Sequence, residues 1–191
     1  MSRSIVPVNI RPHLIPFLYQ EFEGIEAHYI RTKVKAAKIS TRSTLGKIIR
    51  LMIEKADKPE KVDNFNVFLN VSDVEKSKFF GSVFKAQSGK NTFLRLPDPG
   101  VKLLNDYLED NFRLSFVAFV CGYTAEPQQQ HFFKQNRTIQ DAIEAFMDTY
   151  NLRELGFSKM TLQKYYERET KSDATLRRMQ KAVSNRSLNY V

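Results

Sequence analysis

The side chains able to carry out covalent or metal chemistry are few and scattered. Cys121 is the only cysteine, which rules out an intramolecular disulfide and a zinc site built on cysteines. It lies inside an apolar run and reads as a small buried hydrophobe. His13, His28 and His131 are isolated, with no His-x-His pair. No Ser/His/Asp or Cys/His arrangement follows from them. Asp106, Glu109 and Asp110 could meet a divalent cation, but no second carboxylate cluster pairs with them, so they read as a solvated helix face. Tyr165-Tyr166 could suggest a DNA-cleaving tyrosine. Enzymes of that kind also need clustered metal-binding histidines, so the pair reads as core and rim aromatics of a helix. Ser88-Gly89-Lys90 lacks the first glycine and the Ser/Thr of a phosphate loop, because Gly81 precedes it and Asn91 follows; it reads as a hairpin turn. The expectation is a protein with no catalytic residues, no metal and no cofactor.

Charge is the stronger signal. The formal net charge is +9, a balance that favours polyanionic partners. Residues 1–62 carry +6, residues 63–130 carry −1 and residues 131–191 carry +4. The excess sits at the two ends of the chain. From Arg31 to Arg50 there are seven basic residues and no acidic one. Arg31, Lys33 and Lys35 alternate with Ile30, Thr32 and Val34, so an extended segment from Tyr29 to Ile39 would set basic groups on one face and apolar groups on the other. With Lys38 and Arg42 they form a candidate strand face for tracking phosphates. A solvated strand face is the plainer alternative.

The second basic region follows a helix, a connection from Asn151 to Phe157 containing Gly156, and a Ser-capped helix opening Phe157-Ser-Lys-Met-Thr-Leu-Gln-Lys-Tyr-Tyr-Glu-Arg. This run resembles the helix-turn-helix of small bacterial, phage and mobile-element DNA-binding proteins. The resemblance covers about 50 of the 191 residues. It implies that the second helix enters the major groove, with Ser158, Lys159, Thr161, Gln163 and Lys164 toward DNA and Phe157, Leu162 and Tyr165 or Tyr166 packed inward. Arg168, Lys171, Arg177, Arg178 and Lys181 would contact phosphate. The connection is longer than the 3–4 residue turn of that motif. The competing reading is a plain three-helix bundle.

The elements that must position these groups follow from periodicity. Ile5–Ile10 and Phe65–Val71 read as strands. Leu14, Phe17, Leu18 and Phe22 mark a helix ending at Gly24. Ser43 caps a helix to about Ala56, with Leu45, Ile48, Ile49, Met52 and Ile53 on its buried face. Phe79–Lys85 and Thr92–Leu96 read as a hairpin. A helix from Pro99 to about Gly122 turns Val101, Leu104 and Leu108 inward and Asp106, Glu109 and Asp110 outward. Thr138 caps a helix to Tyr150, Ser158 caps one to about Glu169, and Ser172 or Asp173 caps a third to Asn185. Ile48, Ile49, Met52, Leu104, Phe116, Ile143 and Phe146 are the expected core. With 15 Phe and no Trp, Phe is expected to do most of the core filling.

The expected architecture is α+β. A mixed α/β domain with a small antiparallel sheet spans residues 1–123. The polar segment 124–130 serves as a linker, and a three-helix unit covers 131–191. No apolar segment opens the chain as a signal peptide would. The most apolar stretch, Leu114–Cys121, is far short of the roughly 20 residues of a membrane span. The expectation is a cytoplasmic, non-catalytic protein that binds duplex DNA, with no membrane association. The alternative is a structural or interaction component whose C-terminal helices bind a protein partner.

Overall fold

A computed structural model describes residues 3–40, 42–56, 58–72, 93–125, 138–172 and 175. The chain divides into two compact units, residues 1–107 and 108–191. The fold is α+β, as expected.

In the first unit, β1 (Arg3–Val8), β2 (Gly24–Tyr29), β3 (Thr32–Ile39) and β5 (Val67–Ser72) form a sheet in the order β1-β5-β3-β2. The sheet is mixed rather than antiparallel. β1 pairs antiparallel with β5 and β2 with β3, while β3 and β5 run parallel. Parallel neighbours need a long crossover. Here it contains α2 (Thr44–Met52), β4 (Glu54–Ala56) and a helical turn at Val62–Asn64. Two-residue alternation splits the strands between two faces. Val6, Val8, Ala37, Ile39, Val67, Leu69 and Val71 supply one, and all are buried. Tyr29, Val34, Ala36 and Phe68 supply the other, with Val62 and Phe65 against them. Burial on both faces explains why Val67-Phe68-Leu69 reads as an unbroken apolar run.

Two segments differ from expectation. The segment Tyr29–Ile39 is not one strand: Tyr29 pairs with Thr32, so Ile30-Arg31 form a two-residue hairpin turn, with Ile30 at φ +60°. The helix capped by Ser43 stops at Met52, and Ile53 is extended. The next residues form β4, which pairs with β6 (Phe93–Arg95). Strand pairing along Glu54–Ala56 thus overrides the helical periodicity. The expected hairpin partner at 79–85 lies outside the described residues. Within α2, Ile49 and Leu45 are fully buried, whereas Ile48 and Met52 are only partly so.

A carboxamide set locks the connection between β1 and α1 (Leu14–Glu21). Asn66 donates through Nδ2 to the Ile10 carbonyl at 2.7 Å and accepts from Ile10 N at 2.9 Å. Asn105 accepts from Arg11 N at 2.8 Å and donates to the Asn9 and Val101 carbonyls. Asn105 belongs to α3 (Asp98–Thr124).

The second unit is built from the later part of α3, α4 (Ile139–Thr149) and α5 (Lys159–Ser172). The division therefore falls inside α3 and not at the polar segment 124–130, most of which lies outside the described residues. The physical reason is aromatic packing. Phe112, Phe116 and Phe119 of α3 surround Phe146 of α4, with ring centroids 5.6, 5.0 and 5.4 Å away. Phe146 is 1% exposed, and Leu104, Phe116 and Ile143 are as buried as expected. Two other expectations for α3 fail. Glu109 is buried and holds Arg113 one turn later at 3.0 Å; an ion pair allows a carboxylate inside. Cys121 is exposed. The buried row runs Leu108, Phe112, Phe116, Val120 in steps of four, and Cys121 falls beside it.

Thr138 caps α4 through a capping box with Asp141. At the other end Asn151 adopts φ +48°. Leu152 N donates to Met147 O and Asn151 N to Asp148 O, the paired bonds of a Schellman turn. Leu152 is fully buried beneath it. A second left-handed residue, Gly156 at φ +78°, sends the chain into α5. Ser158 caps that helix, accepting from Thr161 N at 3.2 Å. The third helix expected from Ser172 or Asp173 falls almost wholly outside the described residues; Ser172 is the last residue of α5, and its hydroxyl donates to the Arg168 carbonyl.

Candidate nucleic-acid interface

The basic residues of the first unit are not arranged as one open face. Arg31 sits exposed in the hairpin turn and Arg42 exposed ahead of α2. Lys33 and Lys35 share a face of β3, but β2 brings Glu26 and His28 to the same face in register. Lys33 pairs with Glu26 at 2.8 Å. Lys35 lies over the Tyr19 ring, its ammonium 4.5 Å from the centroid. Tyr19 also donates to the Lys35 carbonyl, and burial pushes its phenol up. Lys38 points to the opposite face and pairs with Glu23 at 2.6 Å. The twenty-residue stretch without an acid is therefore partly neutralised by acids that precede it. A hairpin juxtaposes residues that a linear charge count keeps apart.

α5 is different. Its inward apolar positions are Leu162, fully buried, with Tyr165 and Tyr166 half-buried. Phe157 and Tyr165 meet edge to face at 6.4 Å, and Phe157 also meets Phe112. The side opposite Leu162 carries Lys164, Arg168 and Lys171, all exposed. Their spacing of i, i+4 and i+7 sets them in one row along the helix. None of the three makes an ion pair among the described residues. Gln163 is exposed next to this row, its amide donating to Glu167 at 3.2 Å. Lys159 is half-buried and turned toward α4, where it pairs with Glu144 and reaches Gln140. Of the residues expected to meet DNA, Lys159 is thus held by its own fold, Gln163 is exposed with its amide on Glu167, and Lys164 and Arg168 are exposed without an ion pair among the described residues. Arg177, Arg178 and Lys181 lie outside the described residues.

The residues weighed for chemistry find other roles. Tyr166 has its phenol pushed up by burial and by the neighbouring Cys121 thiol, the reverse of what a nucleophilic phenolate requires. His28 is exposed on β2, and His13 precedes α1 without capping it. Ser88-Gly89-Lys90 and His131 lie outside the described residues. Among the described residues, no three His, Cys, Asp or Glu side chains converge as metal ligands would. No helix there is long and apolar enough to cross a membrane.

One constellation has no counterpart in the sequence reading. Glu21, Phe22, Glu23, Lys38, Ile39, Ser40, Ser43 and Asn70 line a cavity of about 350 Å3. These residues come from the end of α1, the end of β3, the cap of α2 and β5, which meet only on folding, so no local spacing marks them.

Compared with known proteins, the chain matches no family model, no curated protein and no solved structure.

Proposed function

We propose that this protein is a non-catalytic nucleic-acid-binding protein that engages duplex DNA through α5. The observation that carries this reading is the row Lys164, Arg168 and Lys171, exposed and without an ion pair among the described residues. Rows of this kind release counterions from phosphates and supply sequence-independent affinity. Gln163 beside the row has the donor and acceptor geometry to meet a base edge. Three aligned features support a helix-turn-helix-like presentation. Ser158 caps α5, Leu162 anchors its inner face, and the two left-handed residues Asn151 and Gly156 fix the connection from α4. The connection, residues 150–158, remains longer than the motif's usual turn. A role in a bacterium, phage or mobile element rests on the resemblance of the α4–α5 region to the helix-turn-helix of such proteins.

Protein-partner binding by the same helices is the second reading. Met160 at 64% exposure and Ile139 at 42% are large apolar side chains left open. They open α5 and α4, whose first turns are joined by Lys159 and Gln140. The deciding experiment is equilibrium binding to duplex DNA, single-stranded DNA and RNA of equal length, titrated with salt. DNA binding through phosphate contacts gives a steep, linear fall of log affinity with log salt. Absence of binding to all three at low ionic strength overturns the proposal and leaves the protein-partner reading.

A further inference from the structure

The turn of the β2–β3 hairpin holds a backbone conformation that its residue does not favour. Tyr29 pairs with Thr32, so Ile30 and Arg31 are the two turn residues. Ile30 has φ +60°, and Arg31 is not in the left-handed region. That is the pattern of a type II′ turn, whose first central position ordinarily takes glycine. A β-branched side chain there is a genuine outlier. Ile30 gains no compensating burial, since it is 52% exposed. Strain that no packing compensates clusters at contact and switch sites.

The base of the hairpin is firmly held and its tip is open. Tyr29 is buried, its ring 5.4 Å from that of Phe68, and its hydroxyl accepts from Glu60 N at 3.2 Å. Beyond it Arg31 is exposed and makes no ion pair among the described residues, while Lys33 is held by Glu26. The tip therefore presents one apolar side chain beside one free cation. A lipid surface calls for a larger apolar face than one isoleucine, and His28, Arg31, Thr32 and Lys33 around it are all polar and exposed. A protein interface is likewise built round a core of several apolar groups. A duplex asks for less. A single apolar wedge opens a base step from the minor groove, and arginine is drawn to the negative potential of that groove.

We propose that the Ile30-Arg31 tip enters the minor groove of duplex DNA, with Ile30 wedged between base pairs, kinking the duplex, and Arg31 lying in the groove. This presupposes the duplex binding assigned to α5 but uses residues of the other unit. The test uses the full chain and two labelled forms of one duplex. One carries donor and acceptor dyes at its ends; the other carries 2-aminopurine in place of adenine at repeated TA steps, which are easily unstacked. The native protein shortens the end-to-end distance and raises 2-aminopurine fluorescence as a base step opens. Ile30→Asn suits the left-handed turn but is polar. It abolishes both signals and weakens binding about tenfold, whereas Ile30→Leu retains them. Thermal melts confirm that each variant is folded. Steep salt-dependent binding by the native protein without bending or unstacking overturns the wedge and leaves the α5 reading standing. No duplex binding at all overturns both. Bending that survives in Ile30→Asn, or Ile30-dependent binding to phosphatidylserine vesicles without DNA bending, also overturns the proposal.

Discussion

The Arg113 guanidinium of α3 lies over the Tyr165 ring of α5, 4.6 Å from its centroid. Its Nε donates to the buried Glu109 carboxylate at 3.0 Å. One side chain thus satisfies a charge inside α3 and clamps α5 from its inner side. Arg113→Ala is expected to destabilise the second unit by about 2–3 kcal/mol, the scale of a lost hydrogen bond to a charged group. In a double-mutant cycle with Tyr165→Leu, the cation–π part appears as a coupling of about 0.5–1 kcal/mol. Urea melts of the four proteins measure both. A coupling near zero refutes the clamp.

Phe146 is the hub of the aromatic core, touching Phe112, Phe116, Phe119 and Tyr150. Phe146→Ala is expected to cost about 3–5 kcal/mol, the range for a large-to-small change at a packed site. Phe146→Leu keeps most of the volume and should cost markedly less. Chemical denaturation gives both values.

Ile30 and Gly156 make opposite predictions for the same backbone region. Ile30 holds φ +60° with a β-branched side chain that is 52% exposed. Ile30→Gly relieves that strain, loses little burial, and is expected to stabilise the hairpin by about 0.5–1 kcal/mol. A Cβ at Gly156 would meet no atom within 4 Å, yet φ there is +78°. Gly156→Ala should therefore cost about 1 kcal/mol through backbone conformation alone. Thermal melts in which both substitutions shift Tm the same way would contradict this assignment.

The two basic regions should separate in a salt titration of DNA binding. Replacing Lys164, Arg168 and Lys171 together by Ala is expected to flatten the log–log salt slope by about 0.9 for each phosphate no longer neutralised. Replacing Lys33 and Lys38, each held by a glutamate, should change the slope far less. A larger effect from the hairpin pair would move the interface to β3. Gln163→Ala is expected to leave the slope unchanged and alter sequence preference, because pairing with a base edge releases no counterion.

Asp141 closes the capping box of α4. Hydrogen bonds from the Thr138 backbone and side chain, aided by Lys159, hold its carboxyl below the usual carboxylate range. A folded value below the unfolded one gives stability that is complete above the unfolded pKa, about 3.9, and lost as pH falls through the folded value. The Tm gap between the native protein and Asp141→Asn should therefore narrow below about pH 4. A gap that stays constant down to about pH 2.5 would show that the carboxylate form is not what caps the helix.

The helices were largely legible before folding because their signals are local. Ser43, Thr138 and Ser158 announce helix starts through their own hydroxyls. The step of three and four residues marks Ile143, Phe146 and Met147 as one face of α4. The same locality explains what misled. Residues 31–35 alternate as a strand should, but nothing nearby shows that Ile30-Arg31 turn the chain, since neither is a usual turn residue. Periodicity also carried the Ser43 helix through Glu54–Ala56, which instead pair with β6.

Sequence alone determined the α+β class, the helix starts, the basic ends of the chain and the apolar faces. Each depends on side-chain type at short spacing. Tertiary structure decided which charges remain open. It brought Glu26 to Lys33, Glu23 to Lys38 and Glu144 to Lys159, and left Lys164, Arg168 and Lys171 in a row facing solvent. It also made β3 and β5 parallel and enclosed Asn70 beside Lys38. The reason is physical: electrostatic pairing and burial depend on distance through space, and residues far apart in the chain become neighbours only when the strands and helices pack.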